Sequence, residues 1–176
     1  KYNFNKNDCD QYAFRSQQTW KSAQESGTFA AEIAPIEFKG KRGKVSMLEH
    51  DEHARPDASF EAINKLPAIF KKDGTVSAGN ASGISDGAGA IILASEEAVK
   101  KHGLTPLARL VDWDSAGVDP TIMGIGPVPA IRNLLRNNNM TMDQIDRIEI
   151  NEAFAAQFLS CEKELGLDRE KCNVNG

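Results

Sequence analysis

Asn151 and Glu152 are the residues whose types and position most readily suggest chemistry. They follow residues 147–150, an apolar-alternating segment typical of a strand, and precede residues 155–165, whose pattern is typical of a helix. Parallel α/β proteins place binding and catalytic groups where a strand ends and a helix begins. An Asn amide there can hold a water or donate to an oxyanion, and a Glu can act in acid–base steps. The alternative is structural, with Asn151 as a helix cap and Glu152 as a first-turn charge.

The stretch 78–90 is the second candidate, because it is rich in Gly, Ala and Ser. Small residues let a ligand lie against the backbone and bind its N–H groups, and Ser82 adds a hydroxyl. The stretch matches neither a Walker A loop nor GxGxxG, so close packing at a strand entry remains the alternative.

The segment 50–53 (HDEH) invites a metal hypothesis, but its spacing is not HExxH and a solvated loop is the expected structure. Arg55 stands beside Pro56, and a guanidinium on a stiff turn suits a phosphate or an adenine face. A surface salt bridge is the alternative for Arg55.

The three cysteines, Cys9, Cys161 and Cys172, are widely spaced and form no CxxC pair. This excludes a zinc ribbon or a disulfide framework and favours a reducing compartment. None has an evident basic partner, so we expect no nucleophile among them.

The elements that would position these residues alternate between helix and strand in the second half, which predicts an α/β layer with parallel pairing. A helix is predicted from Asn5 to about Gly27, followed by a hairpin with its turn at 40–43. The further predicted segments are helices at 58–66, 95–103, 130–137 and 155–165, a turn at 141–145, and strands at 91–93, 107–113 and 147–150.

Composition excludes several classes of protein. The chain has 176 residues, 40% of them hydrophobic, which is enough for a core and argues against disorder. A net charge of -4 disfavours general nucleic-acid binding. No apolar run reaches the ~20 residues that a bilayer requires, so no transmembrane segment is expected. No targeting segment is visible, but the sequence begins at Lys1 and both ends are expected to be cut.

Six segments together carry a resemblance that no single one would. They are 51–56 (DEHARP), 74–83 (GTVSAGNASG), 86–88 (DGA), 123–130 (MGIGPVPA), 151–155 (NEAFA) and 173–176 (NVNG). With these segments the chain resembles thiolases over essentially its whole length, most of all the mitochondrial-type 3-ketoacyl-CoA branch, with the acetoacetyl-CoA branch close behind. Asn151 argues against the β subunit of the trifunctional complex, which usually has His there.

The resemblance implies a five-layered α-β-α-β-α fold of two similar halves, with a loop domain inserted in the first half. Residues 1–82 would be the later part of that CoA-binding loop domain. Residues 83–105 would supply the last strand and helix of the first half, and residues 106–176 would begin the second half.

The resemblance also implies a reaction. A 3-ketoacyl-CoA of fatty-acid β-oxidation would be cleaved by CoA through a Cys acyl-enzyme, giving acetyl-CoA and a shortened acyl-CoA. The reverse condensation would also be possible. The nucleophilic Cys, the second Cys and the His of a Gly-His-Pro motif would all lie outside this chain. We therefore expect residues 1–176 alone to be inactive.

The present residues would support that chemistry. Asn151 would hold the water that completes an oxyanion hole, and Glu152 would order the site. No metal and no permanent cofactor are expected, and CoA would be a substrate. The CoA-binding residues would be Arg55, Ile63, Leu66, Ala78 and Ser82, and the acyl pocket would contain Met123 and Phe154.

The resemblance further implies a homodimer or homotetramer in the mitochondrial matrix, with the cytoplasm or a peroxisome as alternative compartments. Other readings of the function are an acetoacetyl-CoA thiolase, a non-catalytic thiolase-like protein that binds CoA or lipid, and a structural partner subunit. A Cys upstream of this chain and a Gly-His-Pro motif downstream would exclude the non-catalytic binder. A ligand-free pocket and no CoA-induced thermal shift would favour the structural subunit.

Overall fold

The computed structural model describes residues 2–40 and 43–176. The α-helices are α1 (Lys6–Glu25), α2 (Phe60–Asn64), α3 (Glu96–His102), α4 (Pro127–Asn137) and α5 (Ala155–Leu165). The strands are β1 (Ile36–Lys39) and β2 (Val45–Leu48), and short 3-10 helices span Pro120–Ile125, Met142–Gln144 and Arg169–Lys171.

Helix α1 begins where the sequence predicts. The Asn5 side chain accepts from the Asp8 amide at 3.0 Å, and the Asp8 carboxylate accepts from the Asn5 amide at 2.8 Å. This reciprocal pair satisfies two N–H groups that the first turn would otherwise leave open. The helix ends at Glu25, two residues before Gly27, which adopts a positive φ of 76°.

The predicted hairpin is confirmed. Strand β1 pairs antiparallel with β2, and Ile36 lies opposite Leu48. Two residues of its predicted turn, 41 and 42, lie outside the described part of the chain. Every residue of both strands is exposed, so the hairpin lies away from the core.

The core joins the two ends of the chain. The rings of Tyr12 on α1 and Phe158 on α5 stack with their centroids 4.4 Å apart. Around this pair lie further buried residues, which are Cys9, Val128, Ile150, Ala155, Leu159, Cys161 and Cys172. Because Tyr12 and Phe158 are 2% and 0% exposed, this contact fixes α1 against α5.

The three strands predicted outside the hairpin are wrong for this structure, and among the described residues the segment 147–150 forms only an isolated bridge at Ile148. Residues 91–93 and 107–113 form no β-ladder within the described residues, and Ile92 and Leu107 are 96% and 104% exposed. Their branched and aromatic side chains favour a strand, but a strand also needs a neighbour for its backbone hydrogen bonds. Within the described residues, the β-sheet is the two-stranded antiparallel β1–β2 ladder. Parallel pairing there is limited to an isolated bridge between Ile148 and Cys172.

The remaining predicted helices are confirmed, but α2, α3 and α4 have shifted bounds. Helix α5 has the predicted limits and stops at Gly166, where φ is 63°. Gly103 likewise ends α3 in the left-handed region. Helix α4 begins at Pro127, earlier than predicted, because a proline at the first helical positions needs no hydrogen-bond acceptor there. Across residues 2–40 and 43–176, no helix combines the length and apolar character that crossing a bilayer requires.

Candidate active site

A cavity of about 510 Å³ brings the main candidate residues together. Its wall includes Ser82 from the Gly/Ser stretch, Asn151 and Glu152 from the turn before α5, and His53 from the loop before α2. Tyr12 and Ser16 of α1 and Asn173 also line the cavity. Segments far apart in sequence therefore meet at one depression.

The Gly/Ser stretch is held by a buried polar network. Asp10, which is 0% exposed, accepts from the Asn80 amide at 2.8 Å. Asn80 also donates to the Thr75 carbonyl at 2.8 Å and accepts from the Ser77 amide at 2.9 Å. Since buried polar groups need partners, this network sets the path of the loop.

The same stretch is joined to the turn before α5. Ala81 bridges Phe154 in antiparallel fashion, and the Ala155 amide donates to the Asn80 carbonyl at 2.9 Å. The Ser82 amide and hydroxyl both donate to the Ala153 carbonyl at 3.1 Å. These bonds place Ser82 and Asn151 on one cavity wall.

Glu152 and Asn151 differ sharply in their surroundings. Glu152 accepts from the hydroxyls of Tyr12 at 2.7 Å and Ser16 at 2.6 Å, and from the Asn173 amide at 2.8 Å. Asn151 is exposed, and its side chain forms no hydrogen bond to any described residue. Helix α5 is capped at Phe154 without a side-chain bond, so the helix-cap interpretation of Asn151 is wrong. The Asn151 amide is thus open to the cavity.

Arg55 folds back onto its own loop. Its guanidinium donates to the carbonyls of Glu52 at 2.8 Å and Ala54 at 3.0 Å, and its backbone amide donates to Gln17 at 2.7 Å. Arg55 has no carboxylate partner among the described residues, which disfavours the salt-bridge alternative. The remaining guanidinium N–H groups face solvent at this exposed position.

The other predicted CoA-binding residues border the Gly/Ser stretch. A Cβ at Gly79 would lie 2.8 Å from Leu66 Cδ1 and 3.0 Å from Ile63 Cγ2, so this backbone packs directly on α2 and its end. Leu66 is 36% exposed and Ala78 is exposed, whereas Ile63 is 5% exposed and is packed against Gly79. The roles of these residues toward CoA stay predictions.

Met123 and Phe154 do not line the cavity. Met123, in the 3-10 segment Pro120–Ile125, is 71% exposed. The adjacent Gly124 packs on Gln157 of α5, where an added Cβ would lie 3.0 Å from Cγ. Phe154 pairs with the Gly/Ser stretch at Ala81. Their role in an acyl pocket also stays a prediction.

The cysteines are poor nucleophiles in this structure. All three are buried and free. Burial and the neighbouring Asp10 raise the pKa of Cys9 to about 11. Burial also raises the pKa of Cys161 and of Cys172. At neutral pH each stays a thiol, which agrees with the expectation that none of the three is a nucleophile.

The HDEH segment is a loop with exposed side chains. His50 Nδ1 lies 3.2 Å from Gln24 Nε2, and His53 packs over Gly83, where a Cβ would lie 2.2 Å from the imidazole Cε1. Within residues 2–40 and 43–176, no three His, Cys, Asp or Glu side chains are grouped as metal ligands would be.

Tyr12, Ser16 and Asn173 are site residues that the sequence reasoning missed. Tyr12 and Ser16 stand four residues apart on α1, so both face the same side of the helix. That spacing was visible in the sequence, but their target lies 136 or more positions away. Asn173 lies in the segment 173–176, which contributes to the thiolase resemblance, but the resemblance implies no role for this residue.

Comparison with known families decides the relationship. The model of the thiolase N-terminal domain matches residues 1–97, and that of the thiolase C-terminal domain matches residues 104–176. This chain belongs to the thiolase family. It is 60% identical over its whole length to the mitochondrial 3-ketoacyl-CoA thiolase of Mus musculus, and 54% identical over 99% of its length to the β-ketoadipyl-CoA thiolase of Pseudomonas aeruginosa.

Solved structures share the thiolase fold of this chain. Human mitochondrial 3-ketoacyl-CoA thiolase superposes with a TM-score of 0.92 at 54% identity, over 98% of this chain. The acetyl-CoA acetyltransferase of Bacillus anthracis gives 0.94 at 50% identity, over 99% of this chain. The fold class implied by the resemblance is thereby confirmed. This thiolase chain spans 44% of the length of both curated relatives and 43–44% of these two structures.

Proposed function

We propose that these residues belong to a thiolase that cleaves 3-ketoacyl-CoA with CoA, yielding acetyl-CoA and a shortened acyl-CoA. The observation that carries the proposal is the unbonded Asn151 amide, which faces a cavity beside a firmly held Glu152. An amide in this position holds a water that donates to a developing oxyanion. Such an interaction acts in the transition state, where charge appears.

The Gly/Ser stretch forms the CoA side of the site. Ser82 and Ala78 are exposed there and contact the pantetheine arm. Arg55 and Leu66 lie toward the adenine end, with Ile63 behind them as support. Met123 and Phe154 shape the acyl pocket. The human relative has been crystallised with CoA, which supports CoA as the substrate of this chain too.

The bond-breaking groups lie outside residues 1–176. The three cysteines here are buried thiols with raised pKa values, so none of them supplies the nucleophilic thiolate. The acyl-enzyme therefore forms on a Cys elsewhere in a complete thiolase. Residues 1–176 contribute the side of the site that binds CoA and the amide of the oxyanion hole. These residues are inactive alone.

The domain limits follow the same proposal. Residues 1–82 form the later part of the loop domain, 83–105 complete the first half, and 106–176 begin the second half. The model of the thiolase C-terminal domain begins at residue 104, close to the second boundary, which supports that boundary. The names of the mammalian relatives, mitochondrial 3-ketoacyl-CoA thiolase, support a mitochondrial location. A role in β-oxidation in the matrix and a homodimeric or homotetrameric assembly are further parts of the proposal.

A substrate panel tests the function. The complete protein that carries these residues is assayed for CoA-dependent cleavage of acetoacetyl-CoA, a long-chain 3-ketoacyl-CoA and β-ketoadipyl-CoA. We expect the 3-ketoacyl-CoA to be cleaved, and the panel measures which acyl group is preferred. Preference for β-ketoadipyl-CoA or acetoacetyl-CoA would replace the substrate class. A CoA-induced thermal shift without cleavage of any substrate would refute the enzyme and favour a CoA-binding protein.

A further inference from the structure

Glu152 is held at both carboxylate oxygens by two hydroxyls of one helix. Tyr12 donates to Oε1 at 2.7 Å and Ser16 donates to Oε2 at 2.6 Å. Four residues make about one helical turn, so α1 presents the two hydroxyls as a fork. A carboxylate held at both oxygens cannot turn without breaking a bond, which fixes Glu152 relative to α1.

The fork itself is anchored in the core. Tyr12 is 2% exposed, its ring stacks on Phe158, and the Arg169 guanidinium lies 5.6 Å from the ring centroid on another side. Burial and the nearby Glu152 raise the pKa of Tyr12, so the phenol keeps the proton that it donates. The position of the hydroxyl is therefore set by packing and persists across the working pH range.

A second clamp holds the residue on the other side of Asn151. The Asn173 side chain accepts from the Ile150 amide at 2.9 Å and donates to the Ile150 carbonyl at 2.8 Å. The side-chain nitrogen of Asn173, Nδ2, also donates to Glu152 Oε1 at 2.8 Å. Residues 150 and 152 are thus both fixed, while the side chain of Asn151 between them stays unbonded within the described residues.

We infer that Tyr12 and Ser16 are positioning residues for Asn151, acting through Glu152. The inference rests on the proposed function and adds to it residues that lie about 140 positions from the amide they position. An amide that must meet a developing charge works only if its geometry is set before the reaction. The fork supplies that setting through its hydrogen bonds to Glu152.

The test uses Tyr12→Phe and Ser16→Ala in the complete enzyme. Both keep the helix, and Tyr12→Phe keeps the ring stack on Phe158. We expect kcat to fall roughly 5- to 30-fold per lost hydroxyl. The KM for CoA should stay within about two-fold, because the interaction matters in the transition state. Ser16→Thr keeps a hydroxyl and should retain activity.

Tyr2→Phe is the matched control. Tyr2 also donates to a glutamate, Glu164, at 3.0 Å, but this pair lies away from the cavity. A purely structural loss should affect both Tyr→Phe variants alike, whereas we expect only Tyr12→Phe to lower kcat. The decisive comparison repeats the Tyr12 and Ser16 substitutions in an Asn151→Ala background, where we expect them to have no further effect on kcat.

The outcomes separate this inference from the proposed function. Unchanged kcat in Tyr12→Phe and Ser16→Ala, with an active wild type, overturns the positioning role alone. Equal losses with and without Asn151 overturn it as well, because the fork would then act by another route. An inactive wild type overturns the proposed function, and the inference falls with it. If Tyr12→Phe fails to fold, the positioning role is tested by comparing the kcat of Ser16→Ala with that of Ser16→Thr.

Discussion

At the scale of single residues, the site depends on side chains whose polar groups are paired inside the protein. Asn80 shows this most clearly, since it is 5% exposed and links Asp10 to the Thr75 and Ser77 backbone. Without it, one oxygen of a fully buried carboxylate loses its partner. Leaving a buried charged group unsatisfied costs more than the bond itself contributes.

We therefore expect Asn80→Ala to lower the free energy of unfolding by about 2–4 kcal/mol. Asn64→Ala is the control, because Asn64 is exposed and donates to the other Asp10 oxygen, which Lys6 also contacts at 2.6 Å. Its cost should be about 1 kcal/mol or less. Urea unfolding of both variants measures the difference, and equal midpoints would mean that Asn80 does not hold the loop.

The residue scale also shows where sequence reasoning reaches its limit. Asn151 and Ser82 could be named from residue type and from the resemblance, and they do share a cavity wall. The hydrogen bonds that hold Glu152 could not be predicted. Tyr12 lies 140 positions away in the sequence, and a hydrogen bond over that separation leaves no local sequence pattern. The buried position of Ile63 was equally invisible, since it depends on the close approach of Gly79.

At the scale of elements, helices were predictable and sheet pairing was not. Helix α5 could be predicted with correct bounds because its stop, Gly166, acts locally through a left-handed φ. Residues 91–93 have the right composition for a buried strand, but whether they pair depends on a neighbouring segment. The fold-forming contact is instead the packing of α1 on α5, which joins the regions matched by the two family models.

A substitution at Phe158 measures how much the packing of α1 on α5 contributes to stability. Phe158 is 0% exposed and stacks on Tyr12, so Phe158→Ala should lower the free energy of unfolding by about 3–5 kcal/mol. The same substitution at Phe38, which is 52% exposed on β1, should change it by about 0.5 kcal/mol or less. Thermal unfolding compares them. Similar effects at both positions would show that α1 and α5 do not form the stability-determining core.

At the scale of the whole molecule, the buried cysteines predict a loss of stability in alkali. The pKa of Cys9 rises from 9.0 in its ordinary state to about 11 in the folded protein. Between these values the unfolded chain releases a proton that the folded chain keeps, so deprotonation favours unfolding. Stability contributed by Cys9 is full below about pH 9 and declines as the pH rises toward 11.

We expect the unfolding midpoint in urea to fall between pH 9 and 11, and Cys9→Ala to flatten part of that fall. The raised pKa values of Cys161 and Cys172 act in the same direction, so some slope should persist.

A thiol reagent at pH 8 should label none of the three cysteines rapidly in the folded protein and all three in denaturant. Fast labelling of the folded protein would contradict their burial.

The most direct test of the whole account is the effect of Asn151→Ala on turnover in the complete enzyme. If the amide stabilises a developing oxyanion, kcat for thiolysis should fall by about 10²–10³-fold while the KM for CoA changes little. Asn137→Ala, at an exposed position on α4, is the control and should leave both constants unchanged. A wild-type kcat in Asn151→Ala, or a loss confined to KM, would contradict the account.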